Sequence, residues 1–91
     1  MKLSQLLSIL GADCPDGADI TALTCDSRKA APGALFAALP GCRADGRAYI
    51  PEALYRGAAA VVCAPPLPAG VPGAAVDDPR AALALLAAEF Y

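Results

Sequence analysis

The sequence has no histidine and no tryptophan, and it carries seven basic residues against nine acidic ones. Without histidine the chain lacks the usual general base at neutral pH. A cysteine nucleophile has no imidazole partner for the same reason. A net charge of −2 excludes a general nucleic-acid binder, which needs a basic face. Neither a G-x-x-x-x-G-K-[ST] phosphate loop nor a G-x-G-x-x-G fingerprint is present. No apolar run approaches the ~20 residues that span a bilayer. The start, Met1-Lys2-Leu3-Ser4-Gln5-Leu6-Leu7, has one charge and too short an apolar stretch for a signal peptide. The chain therefore reads as cytoplasmic, with neither a membrane nor a nucleic acid as partner.

What the sequence has is alanine. Apolar residues make up 57% of 91 residues, and 23 of them are alanine; Leu, Ile, Val and Phe together number 21. That composition excludes disorder of the low-hydrophobicity, high-charge kind. Alanine buries little area, so the core should be thin and closely packed. The length allows one domain at most. Eight glycines and nine prolines fall at segment borders without a repeat, which excludes collagen-like and low-complexity chains. The four cysteines, Cys14, Cys25, Cys42 and Cys63, contain no C-x-x-C pair. Irregular spacing and the lack of histidine argue against zinc. Reduced thiols are expected in a cytoplasmic chain.

Leu3, Leu6, Leu7 and Leu10 follow the i, i+3, i+4, i+7 spacing of one helix face, and Gly11 stops it. Ile20–Cys25 reads as a strand, with the polar cluster Asp26-Ser27-Arg28-Lys29 after it. Ala34–Leu39 reads as a buried strand, and a polar loop, Cys42–Arg47, follows. A second helix is expected from about Tyr49 to Arg56, with Pro51 in its first turn and Gly57 at C′. Strands are expected at Ala58–Cys63 and Gly73–Val76. Asp78 caps a third helix that starts at Pro79 and carries Leu83, Leu85, Leu86 and Phe90. The order predicts an α/β fold: a small mixed or mostly parallel sheet flanked by about three helices. The chain ends in or just after a strong helix, as a fragment cut at a domain border would.

Two segments concentrate polar chemistry. Thr24-Cys25-Asp26-Ser27-Arg28 lies at the carboxyl end of a strand, where α/β sheets bind ligands. It also suits a strand-end turn in which Asp26 or Ser27 bonds nearby backbone. Gly41-Cys42-Arg43-Ala44-Asp45-Gly46-Arg47 follows another strand, and its glycines free the backbone to approach a ligand. It serves equally as a solvated connection. No catalytic constellation is visible, so the residues favour a binding module over an enzyme.

Taken together, D-S-R at 26–28, P-G-A-L-F-A-A at 32–38, G-C-R-A-D-G at 41–46, R-G-A at 56–58 and A-V-V at 60–62 closely resemble the N-terminal domain of Mur ligases. The pattern is most like the MurE branch, with the MurF branch sharing much of it. The resemblance implies one domain, residues 1–91, of a three-domain ATP-dependent ligase of peptidoglycan synthesis. This domain would hold the uridine diphosphate end of a UDP-N-acetylmuramoyl-peptide substrate. ATP and magnesium would belong to the remaining ligase domains in cis, with no cofactor in this chain. By the same resemblance Cys25 packs on the uracil, Ser27 hydrogen-bonds the nucleotide, and Cys42, Arg43 and Ala44 line the other side. Cys25 stands where a larger aliphatic residue is frequent in the family, and Cys42 where histidine or threonine is frequent. Cys25 and Ala44 can supply apolar walls for a flat base, and Arg43 a cation for the diphosphate. A free-standing protein-interaction domain is the alternative from a different class.

Overall fold

The computed structural model describes residues 2–11, 19–39 and 46–90. Helix α1 (Leu3–Ile9) leads to strand β1 (Ala22–Thr24) and a 3₁₀ turn at Ser27–Lys29. Strand β2 (Ala34–Ala37) follows, then a second 3₁₀ turn at Gly46–Tyr49 that runs into helix α2 (Ile50–Tyr55). Strands β3 (Ala60–Cys63) and β4 (Gly73–Ala75) precede helix α3 (Pro79–Phe90). The four strands form one sheet in the order β1-β2-β3-β4. Every pairing is parallel, with Thr24 beside Phe36, Phe36 beside Val61 and Val61 beside Gly73. A mixed sheet, allowed by the sequence, is thereby resolved to a purely parallel one.

Parallel strands buried on both faces read as continuous apolar runs, and β2 and β3 are buried at every position. Alternate side chains feed two cores. Leu35, Ala60, Val62 and Ala74 face Leu3, Leu6 and Leu7 of α1 and Ala82 and Leu86 of α3. Phe36, Val61 and Cys63 face the other way, against Ala30, Ile50 and Ala53. The result is a three-layer arrangement with α1 and α3 on one face and α2 with the first 3₁₀ turn on the other. Eight of the 19 buried apolar residues among those described are alanine, so the layers are thin, as composition requires.

Several borders differ from the sequence reading. Each strand is shorter than its apolar run, because runs continue where ladder pairing has stopped. Ala38 is buried beyond the end of β2, and Ala58 N–H bonds back to Ala53 of α2 instead of joining β3. The Ser27–Lys29 cluster and the end of the expected polar loop are 3₁₀ turns. Helix α2 begins one residue late and ends one early, with Pro51 in its first turn and Gly57 at φ +103° after Arg56. Asp78 caps α3 by accepting from Ala81 N–H at 3.1 Å. Leu85 is 54% exposed although Leu86 is fully buried.

Gly73 sits at φ +145°, and a Cβ there would collide with the Val61 carbonyl and backbone of the neighbouring strand. Both the conformation and the close strand approach require glycine. Gly73→Ala should destabilise the domain by about 3 kcal/mol or more. For a chain this size that lowers the melting temperature by more than ~10 °C, measurable by thermal denaturation followed by circular dichroism.

Candidate functional site

The polar cluster after β1 is organised by short-range bonds. Thr24 Oγ1 accepts from Asp26 N–H at 3.0 Å, which turns the chain out of the strand. Asp26 then caps the 3₁₀ turn, its Oδ1 accepting from Arg28 N–H at 2.9 Å. The same carboxylate grips the Arg28 guanidinium in a fork, Oδ1 from Nε at 3.1 Å and Oδ2 from Nη2 at 3.0 Å. Arg28 is therefore committed to Asp26, although its side chain is 80% exposed. These donors, first the guanidinium and then the backbone N–H, hold the Asp26 carboxyl below its ordinary value of 3.8.

The turn swings Ser27 inward. It is 6% exposed, the one buried polar residue among those described. Its hydroxyl donates to Glu52 Oε1 of α2 at 2.5 Å. That contact ties the end of β1 to the first turn of α2. Around it lies a cavity of about 550 Å³ lined by Cys25, Asp26, Ser27, Arg28, Phe36, Tyr49 and Glu52. Phe36 is 1% exposed and forms the apolar floor, while Tyr49, 45% exposed, stands on the rim. The volume lies in the range of small-molecule pockets, and the position is the carboxyl end of parallel strands, where α/β sheets place ligands.

Of the residues singled out in the sequence, Cys25 and Ser27 share this cavity. Cys42, Arg43 and Ala44 lie outside the described residues. Phe36, Tyr49 and Glu52 were not foreseen. They belong to β2, the second 3₁₀ turn and α2, and their meeting with Ser27 depends on how α2 crosses the sheet. The one signal available was the Pro51-Glu52 pair at a helix start, since an acidic residue in a first turn faces that end's partial positive charge.

A family model described as "Mur ligase family, catalytic domain" matches residues 19–91. The chain belongs to the Mur ligase family. Among curated relatives, the UDP-N-acetylmuramoyl-L-alanyl-D-glutamate–2,6-diaminopimelate ligase of Agrobacterium fabrum is 49% identical over 86 residues. That alignment takes in 94% of this chain and 17% of the relative. Among solved structures, MurF from Acinetobacter baumannii superposes with a TM-score of 0.82 at 26% identity, over 97% of this chain and 20% of that one. MurF ligase from Thermotoga maritima in complex with ADP gives 0.67 at 29% identity, over 79% of this chain and 16% of that one. This Mur ligase chain thus spans about a fifth of the length of the relatives it matches.

Two outcomes test the site's construction. Cys25 is exposed and Cys63 is fully buried, so a thiol reagent should label Cys25 in the native state and Cys63 only after denaturation; mass spectrometry of the labelled peptides reads this. Asp26 has a depressed folded-state pKa, so its contribution to stability is complete above the unfolded value and fades as pH falls through the folded one. The melting-temperature gap between the parent and Asp26→Asn should therefore be full at pH 7 and close progressively below about pH 4.

Proposed function

We propose that this domain anchors the uridine diphosphate end of a UDP-N-acetylmuramoyl-dipeptide for an ATP-dependent amino-acid ligase of the MurE type. The observation that carries the reading is the cavity at the carboxyl ends of β1 and β2, in which a buried serine hydroxyl stands over an apolar floor. A flat base needs apolar contact with its faces and a few fixed polar groups at its edge. Phe36 and Cys25 offer the first, and Ser27 the second. Arg43, placed after β2 in sequence, is assigned to the diphosphate on its charge, with Cys42 and Ala44 beside it.

The chemistry of ligation belongs elsewhere in such an enzyme. The sequence has no phosphate loop, and among the described residues no group of three His, Cys, Asp or Glu side chains is placed to hold a metal ion. ATP and magnesium are therefore assigned to the remaining ligase domains, and no step is routed through either here. The ADP named with the Thermotoga maritima relative supports ATP dependence of the whole enzyme. No described helix is long and apolar enough to cross a membrane. The proposed nucleotide-linked substrate is what assigns the enzyme to the cytoplasm. The MurF branch is the nearer alternative, since both solved relatives carry that name. The 49% identity to a diaminopimelate-adding ligase against 26% to a MurF favours MurE.

Calorimetric titration with UDP tests the proposal. The parent should bind, and Ser27→Ala should weaken binding by about 1 kcal/mol, roughly fivefold, per folded molecule. If Ser27 only holds the turn against α2, the variant melts at lower temperature and its folded fraction binds UDP as before. No binding of UDP by the parent would leave the protein-interaction alternative, for which the exposed Tyr55 and Leu85 are the first surfaces to mutate.

A further inference from the structure

The bond between Ser27 and Glu52 fixes a direction as well as a contact. A serine hydroxyl has one proton and two acceptor lone pairs. Here the proton goes to Glu52 Oε1, 2.5 Å away, at the short end of the range for O–H···O⁻ bonds. An ionised carboxylate only accepts, so the bond cannot reverse. What Ser27 still offers the cavity is a lone pair. Several of the neighbouring polar groups are already engaged, though Tyr49, with its hydroxyl, also lines the cavity. Both Asp26 oxygens and the Arg28 guanidinium are engaged with each other, and the Thr24 hydroxyl is engaged with Asp26 backbone. The wall built by Ser27 and Glu52 is therefore acceptor-rich and negatively charged. It suits a neutral N–H donor and repels a phosphate oxygen.

Resting on the reading of this cavity as a nucleotide site, we propose that Glu52 is a positioning residue that sets base selectivity. By holding the Ser27 proton it makes that hydroxyl an obligate acceptor, which reads the N3–H of uracil. Uracil has a single ring N–H in that edge, flanked by two carbonyls. Cytosine presents a lone pair at the same ring position, which would face the Ser27 lone pair. The charge of Glu52 also orients the ligand, with the base toward α2 and the diphosphate away from it. A phosphate placed directly against Ser27 and Glu52 would meet a carboxylate, whereas Arg28, paired with Asp26 and 80% exposed, stands on the solvent side of the lining.

The test is a set of calorimetric titrations of the parent chain with UDP, CDP, 3-methyl-UDP and 2′-deoxy-UDP. UDP should bind about tenfold more tightly than CDP or 3-methyl-UDP, the size expected when one base-edge hydrogen bond is lost and its partner left unpaired. Loss of the ribose hydroxyl should cost under about threefold if the base supplies the donor. In Glu52→Ala the Ser27 proton is released, and the UDP-to-CDP ratio should collapse to within about threefold. Glu52→Gln keeps an amide oxygen able to take the same proton, and should restore a ratio near the parent's. A merely structural Glu52 would weaken both nucleotides equally, with no recovery of selectivity in the glutamine variant. Binding of 3-methyl-UDP as tight as UDP overturns the proposal, as does an unchanged ratio in a folded Glu52→Ala. A tenfold loss confined to 2′-deoxy-UDP moves the donor to the ribose and overturns the base assignment. If the parent binds no UDP, the functional reading of the cavity fails first and this proposal with it. The comparison of UDP with 3-methyl-UDP uses the parent alone, so it decides the matter even if Glu52→Ala does not fold.

Discussion

The parallel pairing of β1 with β2 through a connection of only residues 25–33 is the constraint from which the site follows. Parallel neighbours need a crossover, usually a dozen residues or more built around a helix. Here a single 3₁₀ turn must do it. Thr24 and Asp26 spend their side chains on turning the chain, which leaves Cys25 on the outside and swings Ser27 under α2. Ala30 then enters the core beside Ile50 and Ala53. A bulkier connection would fill the space over Phe36. The shortness of the crossover is thus what leaves a cavity at the strand ends.

Alanine makes that economy workable. Ala30 and Ala53, 7% and 0% exposed, let the 3₁₀ turn and α2 approach closely enough for Ser27 to reach Glu52. On the opposite face Ala60, Ala74 and Ala82 do the same between the sheet and α3. Larger side chains at these positions would add buried area at about 25 cal/mol per Å² but would overpack the layers. The cost is a small hydrophobic reserve. Stability then depends on close approach, as at Gly73 against β3, and on caps such as Asp26 and Asp78.

The α/β class, the helix starts and stops, and the strand-end location of Cys25 and Ser27 were legible in the sequence, because each rests on local rules. Apolar periodicity gave α1, Asp78-Pro79 gave the start of α3, and an apolar run bounded by Pro and Gly gave β2. The parallel character of the whole sheet was only partly legible, since the Pro-rich 64–72 connection carries no helix to announce a crossover. The partners of Ser27 were hidden for a different reason. Glu52 lies 25 residues away, on a helix face whose apolar pattern says which side is buried but not which residue it meets. Leu85 was unreadable because α3 is apolar nearly all round, so periodicity cannot rank its faces. The family resemblance supplied roles for Cys25 and Ser27 that the residues alone left open between ligand contact and turn.

On the proposed reading a uridine nucleotide occupies the cavity between the β1 turn and α2. The most direct measurement is a two-dimensional amide spectrum of the isotope-labelled chain titrated with UDP. Occupancy should give saturable shifts concentrated at Cys25, Ser27, Arg28, Phe36, Tyr49 and Glu52, with Leu85 and the rest of α3 unmoved. Saturable shifts centred on α3, or none at all at millimolar UDP (on the order of −4 kcal/mol of binding free energy), would contradict it.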